Sequence, residues 1–128
     1  MTKAELSELY RRYVACLNRR DWPSLPGFVG ENVSRNGAPI GLAGYRAMLE
    51  RDVEEIPDLQ FYIRLLIVDP PYVASRLGFD CAPKGKFLGL AVDGKRISFT
   101  ENVFYEFRDG RIETVWSAID KAAIEAQL

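Results

Sequence analysis

Gly94 to Asp120, GKRISFTENVFYEFRDGRIETVWSAID, is the stretch of sequence that decides the fold. Two β-prone runs flank Asp109-Gly110, and Asp-Gly between such runs is typical of a tight hairpin turn. Strand side chains alternate, so one face of the first run should hold Ile97, Phe99, Glu101, Val103, Tyr105 and Phe107. The same alternation groups Ile112, Thr114, Trp116, Ala118 and Asp120 in the second run. We therefore expect an acid in line with a tryptophan at the end of a strand.

Upstream of this hairpin the sequence predicts helices first. Thr2 and Glu5 have the spacing of a capping box, which opens a helix to about Arg20. A second, short helix is expected to start at Asp21. A third is predicted over Tyr45–Glu55.

Strands and loops are predicted for the middle of the chain. Leu59 to Val68 is almost continuously apolar, which predicts a central strand covered on both faces. Tyr72 to Cys81 should return as the next strand, and Ala82 to Asp93 reads as a loop with an apolar tip. The pattern predicts a single α+β domain over residues 1–128. Its helices should gather on one face of a curved antiparallel sheet and enclose a ligand pocket.

Composition excludes several classes of function. Hydrophobic residues make up 48% and the formal net charge is −1, without a basic stripe, which argues against nucleic acid as a partner. No long apolar run or signal-peptide core is present, so we expect a soluble cytoplasmic protein that does not span a membrane. Histidine is absent, which excludes Ser-His-Asp catalysis and HExxH zinc sites. Acid–base chemistry must then use Asp, Glu, Lys, Tyr or Cys, and we expect no metal.

Several fragments, in their order and spacing, resemble the SnoaL-like polyketide cyclases over about Glu5 to Asp120. These fragments are Asn-Arg-Arg-Asp-Trp (18–22), Gly-Leu-Ala-Gly-Tyr (41–45), Pro-Asp-Leu-Gln-Phe (57–61), Gly-Lys-Phe-Leu-Gly-Leu (85–90), Gly-Lys-Arg (94–96), Asp-Gly-Arg-Ile (109–112), and Trp116 followed four residues later by Asp120.

This resemblance implies the nuclear-transport-factor-2-like α+β cone, and a homodimer formed through the outer face of the sheet. It also implies cofactor-free aldol ring closure of a hydrophobic, carbonyl-bearing small molecule. Asp120 matches the aspartate that serves as acid/base in the family. The chain departs from the family in carrying Arg35-Asn36 where His-Asn is frequent, and Pro83 where a histidine is frequent.

Asp120 has two interpretations. It is the N-cap of a final helix, since Asp is a favoured cap, or it is an acid at the mouth of the cone beside Trp116. In the second position desolvation would raise its pKa and make it a usable base.

Two further polar residues could assist Asp120. Asn36 and Arg35 are candidates for stabilising an enolate oxygen, although the exposed loop context favours Arg35 as a surface residue. Glu101 interrupts an apolar strand face, so it must pair with Arg76 across the sheet or face the pocket as a second acid. Hydration or epoxide hydrolysis would require such a second acid or arginine. A non-catalytic ligand-binding or dimeric interaction module on the same fold is the alternative to an enzyme.

Large aromatic side chains could line the cavity around a flat substrate or could belong to the plain core. The candidates are Trp116, Trp22, Phe87, Tyr45 and Tyr105. Tyr10 and Tyr13 are assigned to the core.

Overall fold

Helix α1 spans Lys3–Arg19 in the computed structural model, which describes residues 1–128. The predicted capping box is present: the Glu5 backbone N–H donates to Thr2 Oγ1 at 3.1 Å, and the Thr2 N–H donates to the Glu5 carboxylate at 2.9 Å. Both donors would otherwise lack a partner at the helix start. The buried stripe of α1 packs toward the sheet through Leu6, Leu9, Tyr10, Tyr13, Val14 and Leu17.

Five strands form the main sheet, in the order β1-β7-β6-β3-β2. Their bounds are β1 Val29–Arg35, β2 Tyr62–Asp69, β3 Tyr72–Cys81, β6 Ile97–Arg108 and β7 Arg111–Ile119. Strands β2, β3, β6 and β7 pair antiparallel along the chain, as predicted. Strand β1 pairs with β7 in parallel. The sequence gives no local signal for that pairing because it joins residues far apart in the chain.

Short elements complete the fold. A 3₁₀ helix spans Trp22–Gly27, α2 spans Gly41–Glu55 and α3 spans Lys121–Glu125. The predicted loop over residues 82–93 contains a small hairpin of two strands, β4 (Lys86–Phe87) and β5 (Leu90–Ala91), each two residues long. The predicted α+β cone is confirmed, with helices packed against one face of a curved, mostly antiparallel sheet. None of the helices combines the length and apolar character needed to cross a membrane.

The predicted inner face of β6 is confirmed, but the predicted face of β7 is wrong after its first residues. Phe107 pairs with Ile112 and Glu106 pairs with Thr114, so Glu113 is an extra residue on β7. Such a β-bulge shifts the alternation of every later side chain by one position. The inward-facing residues of β7 after the bulge are therefore Val115, Ser117 and Ile119, and Trp116 faces outward.

The prediction of a central strand covered on both faces is also wrong for β2. This strand lies at the edge of the sheet, and Leu65 and Ile67 on its outer face are 54% and 57% exposed. Its apolar run is continuous because the outer face of the sheet also carries an apolar patch, to which Phe104 of β6 and Trp116 of β7 contribute.

Candidate functional site

A cavity of about 240 Å³ lies between the helices and the inner face of the sheet. Aromatic side chains form much of its wall. The rings of Phe79 and Phe99 stack with their centroids 5.0 Å apart, and the Phe87 ring lies 5.4 Å from that of Phe99. The β4–β5 hairpin therefore contributes to the cavity through Phe87, together with the neighbouring Leu88.

Glu101 is the acidic side chain that the sheet places in this cavity. It sits on the inner face of β6, where the Ser117 hydroxyl donates a short hydrogen bond to its carboxylate. Arg35 Nη2 donates in turn to Ser117 Oγ at 3.4 Å. Burial raises the pKa of Glu101, and the Ser117 hydrogen bond and the Arg35 charge oppose this rise in part. Glu101 thus has a largely desolvated carboxyl group, which the Ser117 hydroxyl links to the Arg35 guanidinium.

The alternative that paired Glu101 with Arg76 is wrong. Leu77, and not Arg76, is opposite Glu101 in the β3–β6 register. Arg76 faces the outer side of the sheet and donates to Thr100 Oγ1 at 3.4 Å. The two side chains are on opposite faces because neighbouring strand positions alternate.

Asp52 brings a second carboxyl group to the cavity from helix α2. Burial raises its pKa to about 6, and the nearby negative charge of Glu101 adds to the rise while Arg35 opposes it. Two carboxyl groups and one guanidinium thus share a single apolar cavity. Such an arrangement suits proton transfer, because it brings the pKa of a carboxyl group close to neutral pH. At that pH the group can both gain and lose a proton.

Three tyrosines, Tyr13, Tyr45 and Tyr105, also line the cavity, and Tyr10 packs against Tyr105 outside that lining. The hydroxyls of Tyr13 and Tyr45 are 2.7 Å apart, and Tyr10 donates to the Tyr105 hydroxyl at 3.4 Å. Burial raises the pKa of all four, so the hydroxyls keep their hydrogens at neutral pH.

Asn36 does not line the cavity. Its side-chain amide is used twice by the backbone of Ser117: Nδ2 donates to the Ser117 carbonyl at 3.2 Å, and Oδ1 accepts from the Ser117 N–H at 2.8 Å. Asn36, which was expected to face a substrate oxygen, thus lies outside this cavity with both amide atoms paired to the backbone. Its amide fixes the strand position from which Ser117 reaches Glu101.

Asp120 lies outside the residues that line the cavity. It is exposed, and its carboxylate accepts a hydrogen bond from the backbone N–H of Ala123 at 3.1 Å, as the N-cap of α3. The expected placement in a desolvated mouth beside Trp116 is wrong, because the bulge at Glu113 turns Ile119 inward instead. Trp116 itself is 43% exposed on the outer face.

The structure therefore brings five of the nine candidate residues together at the cavity and places the other four outside it. The cavity is lined by Arg35, Tyr45, Phe87, Glu101 and Tyr105. The residues that do not line it are Trp22, Asn36, Trp116 and Asp120. Trp22 instead lines a separate surface depression, together with Leu25.

Sequence reasoning missed Asp52 and Ser117 and assigned Tyr13 to the core. Asp52 had a usable signal, because it lies seven residues after Tyr45 and so on the same face of α2 as that buried residue. Ser117 had none, since the bulge that turns it inward leaves no clear mark in the sequence. No group of three or more His, Cys, Asp or Glu side chains is arranged to hold a metal ion.

An α+β cone with an apolar cavity that contains acidic groups is typical of proteins that bind or convert small molecules. The family model for SnoaL-like polyketide cyclases matches residues 7–128, and the chain belongs to this family. Its fold is similar to that of a SnoaL-like polyketide cyclase from Agrobacterium tumefaciens, with 46% identity, a TM-score of 0.95, and coverage of 99% of this chain and 98% of that one. TsrD from Streptomyces laurentii has the same fold at 22% identity, with a TM-score of 0.86 and coverage of 99% and 96%. Among proteins with curated descriptions, none matches.

Proposed function

We propose that this protein catalyses cofactor-free aldol-type ring closure or isomerisation of a small hydrophobic carbonyl compound, with Glu101 as the acid/base. The observation that supports this most is the desolvation of the Glu101 carboxyl group in a mostly apolar cavity, where Ser117 links it to Arg35. Burial makes a carboxylate more basic. A more basic carboxylate can remove a proton from carbon closer to neutral pH.

One acid/base group is sufficient because ring closure neither adds nor removes atoms. Glu101 would take a proton from the carbon next to one carbonyl, and the electron pair of that C–H bond would form a carbon–carbon bond to a second carbonyl. The second oxygen becomes an alkoxide, to which Glu101 returns the proton. A positioned acid–base group contributes about 10²–10⁴-fold in rate. Holding both ends of one molecule in the cavity adds to this.

Arg35 is the candidate for stabilising the enolate oxygen. Its guanidinium lines the cavity and is within hydrogen-bond distance of Ser117 Oγ. A fixed positive charge near developing negative charge lowers the barrier because it needs no reorganisation during the reaction. Asn36, the other candidate from the sequence, we assign to positioning Ser117.

The cavity limits the size of the substrate. Its volume of about 240 Å³ is below the roughly 300–1,000 Å³ typical of pockets for drug-sized ligands. Its polar groups include Glu101, Asp52 and Arg35, whereas phenylalanines and leucines form much of the rest of the wall. We expect a flat, apolar substrate of one or two rings with a carbonyl group directed at the acids.

Deuterium exchange tests the proposal without the natural substrate. β-Tetralone, a two-ring ketone with an enolisable methylene group, is incubated with the protein in D₂O, and loss of the methylene proton signal is followed by NMR. Glu101→Gln should slow the catalysed exchange by about 10²-fold or more. Glu106→Gln is the matched control, because Glu106 lies on the outer face of the same strand, where it accepts a hydrogen bond from Thr114. Unchanged exchange in Glu101→Gln would remove Glu101 from the mechanism.

Non-catalytic binding of a small ligand is the second candidate function. It is favoured by the position of Asp120, the residue that matches the acid/base of the family, outside the cavity. Native mass spectrometry after mild purification separates the two: a retained, unmodified ligand together with no exchange on β-tetralone indicates a binding protein.

Addition of water, as in hydration or epoxide hydrolysis, is a further candidate. It requires a second carboxyl group or an arginine beside the acid, and the cavity contains Asp52 and Arg35 with Glu101. Turnover in ¹⁸O-labelled water identifies this reaction by incorporation of the label into product.

We also infer a homodimer that forms through the outer face of the sheet. Side chains of three strands form an exposed apolar patch on this face: Leu65, Ile67, Phe104 and Trp116 are 54%, 57%, 58% and 43% exposed. A contiguous apolar surface of this kind is typical of a protein–protein interface.

A further inference from the structure

We propose that the hydroxyl pair of Tyr13 and Tyr45 donates a hydrogen bond to the carbonyl or enolate oxygen of the ligand in the cavity. This inference rests on the proposed function, and it gives a role to Tyr13, which the sequence assigned to the core. Both tyrosines line the cavity, and both are buried.

A count of hydrogens leads to this role. Each tyrosine hydroxyl carries one hydrogen and accepts through its oxygen. The two hydroxyls are 2.7 Å apart, so one of them donates to the other. That bond uses one hydrogen of the two, and neither hydroxyl has a second protein partner. One O–H hydrogen of the pair is therefore left without an acceptor.

A buried donor without an acceptor is unfavourable. Because both tyrosines line the cavity, we assign the missing acceptor to the occupant of the cavity. Burial raises the pKa of both tyrosines, so the pair remains a neutral donor and does not compete with Glu101 as a base.

The surroundings select the kind of acceptor. Glu101 and Arg35 line the same cavity as the tyrosine pair, and the charge of Glu101 contributes to the raised pKa of both tyrosines. A ligand oxygen at the pair thus lies near both the acid/base and a positive charge. A carbonyl oxygen that becomes an enolate fits, because its hydrogen bond strengthens as negative charge develops.

Binding of β-naphthol tests this donor separately from catalysis. β-Naphthol has the ring shape and oxygen position of the enol of β-tetralone, and naphthalene has the same rings without the oxygen. Fluorescence titration gives the dissociation constants of both probes for the wild type, Tyr13→Phe, Tyr45→Phe and the double variant. Tyr10→Phe is the control, because Tyr10 is a buried tyrosine that does not line the cavity.

The double variant should bind β-naphthol about tenfold more weakly than the wild type does, which is the loss expected for one buried hydrogen bond. Its affinity for naphthalene should be unchanged, which shows at the same time that the protein is folded and the cavity intact. The two single variants should differ, and the larger loss identifies the tyrosine whose hydrogen is free. Equal loss of affinity for both probes, or no loss for β-naphthol, would overturn the proposal.

The two proposals fail independently. If Glu101→Gln keeps its exchange activity while the double variant loses affinity only for β-naphthol, the acid/base assignment is wrong and the donor pair stands. If Glu101→Gln is inactive while the double variant binds both probes like the wild type, the donor pair is wrong and the acid/base assignment stands.

Discussion

Replacing Asp52 with asparagine should stabilise the folded protein at neutral pH and have little effect near pH 4. Asp52 is a partly buried carboxyl group whose pKa is raised from 3.8 to about 6, mainly by burial and then by the charge of Glu101. In the unfolded chain its pKa is about 3.9. The folded protein thus holds this proton more tightly than the unfolded chain.

Proton linkage determines whether the free energy of unfolding rises or falls with pH. Between about pH 4 and pH 6 the folded state binds more protons than the unfolded state, so the free energy of unfolding falls as the pH rises. A pKa difference of about two units corresponds to about 3 kcal/mol at 1.36 kcal/mol per unit. Because the side chain is partly exposed, we expect the measured effect to be on the order of 1–3 kcal/mol.

Urea unfolding at a series of pH values measures this effect directly. Asp52→Asn should have a larger free energy of unfolding than the wild type above about pH 6, and the gain should vanish near pH 4. Glu54→Gln, an exposed acid on the same helix, is the control and should show no gain that depends on pH. If Asp52→Asn gives the same difference at both pH values, the carboxyl group is not desolvated in the folded protein and the reasoning fails.

Three further predictions concern other residues. Ser117→Ala removes the hydrogen bond that lowers the pKa of Glu101, so the acid limb of the pH–rate profile should move to higher pH; an unmoved limb would contradict the contact. Trp116→Glu places a charge on the exposed outer face and should convert a dimer to a monomer in analytical ultracentrifugation, whereas an unchanged mass would exclude this face as the interface. Asp120→Ala removes the cap of α3 and should lower the free energy of unfolding by about 1 kcal/mol; if urea unfolding gives no loss, the cap contributes nothing to stability.

Local patterns were sufficient for much of the fold. The alternation of side chains along β6 predicted its inner face, from Ile97 to Phe107. The prediction held because β6 is one strand of twelve residues, in which every second side chain lies on the same face. The capping box at Thr2 was predictable for a similar reason, since its partners are three residues apart. Both of these predictions depend on residues that are close together in the sequence.

The site was less predictable because one bulged residue controls it. If side chains alternate regularly from Ile112, Trp116 faces inward. The extra residue Glu113 shifts the alternation by one position, so the later side chains of β7 point to the opposite faces. Ser117 therefore reaches Glu101, and Trp116 joins the outer face. A single irregularity of this kind depends on how two strands pair, which composition and periodicity do not reveal.

Comparison of Glu101→Gln with Asp120→Asn tests the central claim most directly, because the two variants remove the two competing candidates for the acid/base. The measurement is the rate of deuterium exchange into β-tetralone at neutral pH, with equal concentrations of each folded variant. We predict that Glu101→Gln loses about 10²-fold or more, while Asp120→Asn, at the exposed cap of α3, stays close to the wild-type rate. The reverse result, an active Glu101→Gln and an inactive Asp120→Asn, would contradict the assignment of the buried carboxyl group as the catalyst.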